Sequence, residues 1–232
     1  MKVFREHLAA ATEDGEPAER RTWVFAAYDQ LTDRIGPLAA TDPTRTGLVL
    51  VECPAKAARR PYHKQKLYLV LANQRRFALE QAGRGVLVRY LVAGDGEGYA
   101  ETLRRAYEEL GPLVHMEPAE RELRTELEPL VRRGALEVRP HEGWLTTHDD
   151  FVRGTGESAP WRMDRFYRHV RKRTGVLMDA NGKYEGGKVS FDGENRRRWP
   201  GNPPAPRLPR FRPGDVEDEV VALIEERFAD HP

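Results

Sequence analysis

Gly182-Lys183-Tyr184-Glu185-Gly186-Gly187-Lys188 has the spacing of a P-loop, in which backbone amides and a lysine face nucleotide phosphates and a following Ser or Thr holds magnesium. Here the following residue is Val189, and the chain runs on into polar Phe191-Asp192-Gly193-Glu194-Asn195-Arg196 instead of a helix. Nucleoside triphosphate hydrolysis is therefore not expected. Gly94-Asp95-Gly96-Glu97-Gly98 is a second glycine cluster, but its two acidic residues would repel a pyrophosphate, so it reads as a flexible loop. The seven histidines lack metal-binding spacing such as H-E-x-x-H, and G-x-S-x-G is absent. Cys53 is the single cysteine, so this sequence can neither close an internal disulfide nor hold an iron–sulfur cluster by itself. What remains is binding chemistry. Asp29, Gln30 and Glu52 follow apolar runs, and residues 161–174 form a basic segment with Arg165, Arg168, Arg171, Lys172 and Arg173. Those cations suit DNA phosphates, with Trp161 and Tyr167 available for stacking; the plainer alternative is a solvated face docked on an acidic neighbour.

These residues need elements to position them. Trp23-Val24-Phe25-Ala26-Ala27-Tyr28 and Gly47-Leu48-Val49-Leu50-Val51-Glu52 read as buried parallel strands ending in acidic residues. Residues 86–91, 113–116 and 135–139 supply three more. Between them lie helical patterns: one from about Tyr62 with Leu67, Val70, Leu71, Phe77 and Ala78 on one face, one over residues 99–110, and one opened by Pro118 and carrying Leu123, Leu127, Leu130 and Val131. Strands alternating with helices require right-handed crossovers and a covered parallel sheet. The expected fold is α/β, a Rossmann-like doubly wound five-stranded parallel sheet, with ligands beyond the carboxyl ends of the strands. Asp29, Gln30 and Glu52 stand at those ends.

The expected organisation is a flexible N-terminal extension over residues 1–22, an α/β domain over 23–199, and a Pro-rich linker with a short amphipathic helix over 200–232. That last helix carries Val216, Val220, Leu223, Ile224 and Phe228 as an apolar stripe that needs a surface to cover it. Across 232 residues, 38 Lys and Arg nearly cancel 37 Asp and Glu, so net charge alone says nothing about nucleic acid. No apolar stretch approaches the roughly 20 residues of a membrane span, and the polar first residues lack a secretory core. A cytoplasmic protein is expected.

Several blocks share one register with a known family. Asp29-Gln30-Leu31 is similar to the "DQL" that closes the first strand in the iron–sulfur bacterial photolyases and cryptochromes, His63-Lys64-Gln65-Lys66 to their "HHKxK", and Arg75-Arg76-Phe77 to their "MRHF". Phe166-Tyr167-Arg168, Arg171-Lys172-Arg173-Thr174-Gly175, Leu177-Met178, Gly186-Gly187-Lys188 and residues 191–196 resemble "FYRxxRRKTGxLM…GGxWNFDxENR" in order and spacing. The resemblance runs from about Trp23 to Phe228 and implies the N-terminal α/β, antenna-binding half of that family.

The family repairs six-four photoproducts in DNA or senses blue light, using FAD and an iron–sulfur cluster held by a C-terminal helical domain. Neither group is expected in this chain, whose catalysis would then depend on a FAD-binding helical photolyase half as partner. By resemblance, the α/β half holds a ribityllumazine antenna, with Asp29, Gln30, Glu52, Tyr62 and His63 as the cofactor-binding residues. The sequence departs from the family at that pocket: Tyr28 replaces a Gly and narrows it, Lys56 and Arg59 replace a Glu and a Tyr that contact lumazine, and Tyr62 replaces the first His. Val189 and Ser190 stand for the Trp and Asn of "WNF". The alternative reading is a non-catalytic interaction or nucleic-acid-binding module with a vestigial chromophore pocket, docking through the basic helix and the terminal apolar stripe.

Overall fold

The computed structural model describes residues 1–12, 20–194, 196 and 198–232. Residues 13–19 of the expected extension, and Asn195 of the family-like block, lie outside the described residues. The sheet contains β1 (Thr22–Phe25), β2 (Thr46–Glu52), β3 (Leu87–Val92), β4 (Leu113–Met116) and β5 (Leu136–Arg139), all parallel, in the order β3-β2-β1-β4-β5. This is the expected doubly wound arrangement. β1 is shorter than the apolar run suggests, because beyond Phe25 the chain leaves the ladder and turns at Tyr28 and Asp29.

Side chains alternate between two cores, as period-two strand geometry dictates. Trp23, Phe25, Val49 and Val51 face α5 (Tyr99–Leu110) and α6 (Arg121–Arg132), meeting Leu103, Leu123 and Leu127. Val24, Leu48 and Leu50 face the other layer, with Phe4 of α1 (Lys2–Ala11), Phe77 and Ala78 of α4 (Lys64–Ala82) and Val216 of α9 (Asp215–Arg227). Gly47 has a steric reason: it pairs with Trp23 across the ladder, and a Cβ there would lie 2.3 Å from the indole ring.

Short helices α2 (Gly36–Ala39) and α3 (Pro54–Ala58) follow β1 and β2. The first residues, expected to be loose, instead form α1: Phe4 is fully buried against Tyr90, and the amides of Val3 and Phe4 donate to the Glu219 carboxylate. α9 is likewise covered. Its Val220, Ile224 and Phe228 pack on Leu67 and Leu71 of α4, so the terminal stripe finds its surface inside this chain and is not a free docking face.

Contacts divide the chain into two units, residues 1–142 with 212–232, and residues 143–211. The first is the α/β layer structure, which takes up both the N-terminal helix and α9. The second holds α7 (His148–Thr155) and α8 (Met163–Thr174), joined through Phe151, Phe166 and Trp161, with ring centres 5.4 Å apart for the Phe151–Phe166 pair. Much of the Pro-rich stretch expected as linker, residues 202–211, falls in this second unit and forms neither helix nor strand.

Candidate functional site

Chain order reverses about β1, which lies between β2 and β4, and in doubly wound sheets the ligand crevice opens beyond the strand ends at that switch point. Segments leaving all three strands converge there. After β1, Gln30 N–H donates to the Ala27 carbonyl at 2.9 Å and closes the turn that carries Tyr28 and Asp29. After β2, Cys53 leads into α3 and Lys56; after β4, Glu120 precedes the first residue of α6. The Tyr28 hydroxyl donates to Glu120 Oε2 at 3.1 Å, and Lys56 Nζ donates to the same oxygen at 2.5 Å while lying 5.2 Å from the Tyr28 ring centre. Burial, reinforced by the Glu120 charge, pushes the Tyr28 phenol well above its ordinary range. Burial also disfavours the Glu120 carboxylate, but the Lys56 bond and charge, with the Tyr28 bond, outweigh it and hold Glu120 below the usual range. At neutral pH the cluster is thus a neutral phenol and a cation on one ionised carboxylate.

Two spaces flank this cluster. An inner cavity of about 80 Å³ is lined by Cys53, Lys56, Tyr62, Leu71, Gln74 and Tyr99, among others, and an outer groove of about 520 Å³ by Asp29, Leu31, Leu69, Asn73, Arg76 and Glu80. Tyr28 and Val70 belong to both linings. Gln74 is almost wholly buried, and its Nε2 has no hydrogen-bond partner among the described residues.

The residues anticipated from sequence are dispersed around this region. Asp29 lines the outer groove, its carboxyl raised by desolvation and by neighbouring Glu120 against its own backbone hydrogen bond. Tyr62 lines the inner cavity, with Lys66 Nζ 4.4 Å from its ring centre. Gln30 turns away: it donates to the Glu117 carbonyl at 2.9 Å and sits beside Ile35, Leu38 and Met116. His63 caps α4, its Nδ1 accepting from the Gln65 amide at 3.1 Å. Glu52 is buried and engaged by Arg75 and by the Tyr90 hydroxyl at 2.7 Å. Glu120 and Gln74 were not anticipated. An acid just after Pro118 at a helix start was the available signal for Glu120, and a polar residue between Leu71 and Phe77 on an apolar face was the signal for Gln74.

The glycine loops carry no phosphate geometry. At the start of α5 the Tyr99 and Ala100 amides donate to Glu126 Oε1 at 2.5 and 3.3 Å, so a carboxylate already fills the anion position that a helix N-terminus offers. Glu97 accepts from the Gly94 amide and from Arg105, whose bonds bring its pKa down to about 2. In the second unit, Asp179 accepts from the Asn181 and Lys183 amides, making residues 179–183 a plain turn. No cluster of metal-ligating side chains occurs among the described residues.

The basic helix is divided in its duties. Arg171 is buried, donating to the carbonyls of Val189 and Leu177 and lying between the Tyr167 and Tyr184 rings. Arg173 pairs with Asp150 at 3.1 Å, and Arg168 reaches Asp164 at 4.0 Å. Arg165 and Lys172 are exposed and lack a salt-bridge partner among the described residues. The whole second unit contains 14 Lys and Arg against eight Asp and Glu, a surplus that the chain's near-zero net charge conceals. Three of the four tryptophans, Trp144, Trp161 and Trp199, lie there with more than half of each side chain exposed.

A parallel sheet with this strand order, and a crevice at its switch point, defines an α/β protein of Rossmann-like arrangement. Residues 23–232 match the family model described as deoxyribodipyrimidine photo-lyase-related protein, and the chain belongs to that family. It is 32% identical over 217 residues to the (6-4) photolyase of Agrobacterium fabrum, an alignment that takes in 90% of this chain and 42% of that protein. The chain thus spans less than half the length of this relative. Among the described residues no helix is long and apolar enough to cross a membrane.

Proposed function

We propose that this chain is the α/β, antenna-type part of a system for light-dependent DNA repair or blue-light sensing, in which flavin chemistry comes from a FAD-binding helical region that these residues do not contain. The observation that carries the reading is the family match over residues 23–232, supported by the parallel sheet order. The lone Cys53 is buried and free, so an iron–sulfur cluster would draw its ligands from that helical region too. The basic surplus and exposed tryptophans of residues 143–211 favour DNA contact as the α/β part's own contribution, with Arg165 and Lys172 available to phosphates.

A ribityllumazine calls for a pocket of about 300 Å³ or more; the inner cavity of about 80 Å³ does not hold one, so such an antenna would sit in the outer groove of about 520 Å³ beside Asp29. The α/β part also supplies scaffold and a DNA-contacting surface. Mixing the chain with a flavin-loaded helical photolyase half tests this by gel filtration. Co-elution of flavin absorbance with both polypeptides is expected, and separate elution of two folded proteins would count against the proposal.

A further inference from the structure

β3 is an edge of the sheet, hydrogen-bonded to β2 alone. The Ala93 amide, just past its end, donates to the Glu52 carbonyl of β2, and the main-chain groups of a strand point alternately to its two sides, so Leu91 and Arg89 also face β2. The N–H and C=O of Val88 and Tyr90 point the other way and meet no partner among the described residues. Such a row is a template for another strand. A groove of about 440 Å³ runs between β3 and α5, and one of about 330 Å³ between β3 and α1; Arg89, Tyr90 and Leu91 belong to both linings, so the two meet along the strand.

The grooves differ in chemistry. Arg89 shares the sheet face of Val49, towards α5, and the groove there also holds Thr102 and Arg105, with Glu109 as its single acid. Glu97 occupies Arg105. Arg89 Nε, by contrast, is buried without a hydrogen-bond partner among the described residues, 3.7 Å from Glu109. Arg5 of α1 is exposed, has no salt-bridge partner among them, and reaches both grooves. The α1 groove is otherwise mainly apolar, lined by Phe4, Leu8, Ala9 and Val88.

We propose that the open edge of β3 receives an extended segment of another protein in which acidic and apolar residues alternate. Main-chain groups of Val88 and Tyr90 would pair with that segment, and its side chains would point alternately to the two faces. Its acids would fall on the Arg89 side and its apolar residues on Phe4 and Leu8. A second copy of this chain fits worse, since a two-fold β3 pairing keeps the layers in place and sets Arg89 and Arg5 of both copies along one edge. The inference is independent of any part in light-driven repair.

The test uses the full chain and a fluorescein-labelled peptide of about eight residues alternating Glu and Val, long enough to span an average strand. Saturable binding by anisotropy is expected, with slowed amide hydrogen exchange at Val88 and Tyr90. A peptide of the same composition with its acids consecutive, and one alternating Lys and Val, should each bind at least tenfold more weakly. Arg5→Gln/Arg89→Gln should lose at least tenfold in affinity while melting like wild type. Should that variant fail to fold, the peptide comparison and the exchange pattern decide. Absence of saturable binding would overturn the proposal, as would equal affinity for the rearranged peptide, a folded double variant that binds as tightly as wild type, or binding that leaves exchange at Val88 and Tyr90 unchanged. A dimer that protects these two amides without peptide would assign the edge to a second copy and overturn it too.

Discussion

Arg75 donates to both carboxylate oxygens of Glu52 at 3.1–3.2 Å, and the two side chains are 1% and 5% exposed. Glu219 of α9 meets the same guanidinium at 3.2 Å, which ties sheet, α4 and α9 together. Removing one member of a buried pair leaves its partner's charge undercompensated. Glu52→Gln is therefore predicted to cost about 3 kcal/mol in urea unfolding, while replacing both residues by leucine costs less than the sum of the two single replacements. Unfolding of Glu52→Gln at the wild-type midpoint would contradict this.

Gly47 sits where a side chain cannot. Its Cβ would enter the Trp23 ring, which is itself held in the core between β2 and β4. Overpacking of this kind costs about 1–3 kcal/mol or more, so Gly47→Ala should lower the thermal midpoint clearly. Gly47→Ala/Trp23→Leu should recover part of the loss if the indole is the obstacle; equal melting of Gly47→Ala and wild type would refute the clash.

His115 lies in the core against the Phe25 ring, its Nδ1 3.1 Å from the Phe25 carbonyl, and desolvation brings its pKa down to about 4. Between the unfolded value of about 6.5 and that folded value, the unfolded chain binds a proton that the folded protein rejects. Stability should fall as pH drops through this window, by about 1.4 kcal/mol per pH unit and about 3 kcal/mol in all. His115→Gln should flatten this part of the urea-unfolding profile; identical slopes in the two proteins would exclude His115 as the cause.

Arg165 and Lys172 should matter to DNA and little to folding, whereas Arg171 should show the reverse. Arg165→Glu/Lys172→Glu is predicted to melt like wild type, to weaken duplex binding at least tenfold at low salt, and to reduce the salt slope of the binding constant by about 2. Arg171→Ala leaves the Val189 and Leu177 carbonyls without their donor and should expose residues 143–211 to limited proteolysis. Unchanged DNA affinity in the double charge reversal would move the DNA contact elsewhere.

The centre of the sheet was legible because β1 and β2 are apolar runs buried on both faces, and Val49 and Leu50 facing opposite layers illustrate it. α1 was missed: the charged residues from Glu13 to Arg21 that follow it dominate the reading of the N-terminus, and the burial of Phe4 depends on Tyr90 and Arg75 far along the chain. α9 was found as a helix but not as a part of the α/β unit, since an apolar stripe says that a partner surface exists and not which one. The site was harder still. Glu52 at a strand end looks the same in sequence whether it faces a ligand or Arg75, and Tyr28 was visible as a bulky replacement while its bond to Glu120 depended on the loop after β4.

The account stands on the claim that these residues form the α/β part of a light-driven DNA repair or sensing system. Its most direct test is repair of a duplex bearing one six-four photoproduct, by this chain combined with a flavin-loaded helical photolyase half, under blue light and in the dark. Lesion loss that needs blue light and both polypeptides is the predicted result. If the two parts form a flavin-containing complex and the helical region repairs or binds the lesion no better with this chain than without it, the repair reading is contradicted.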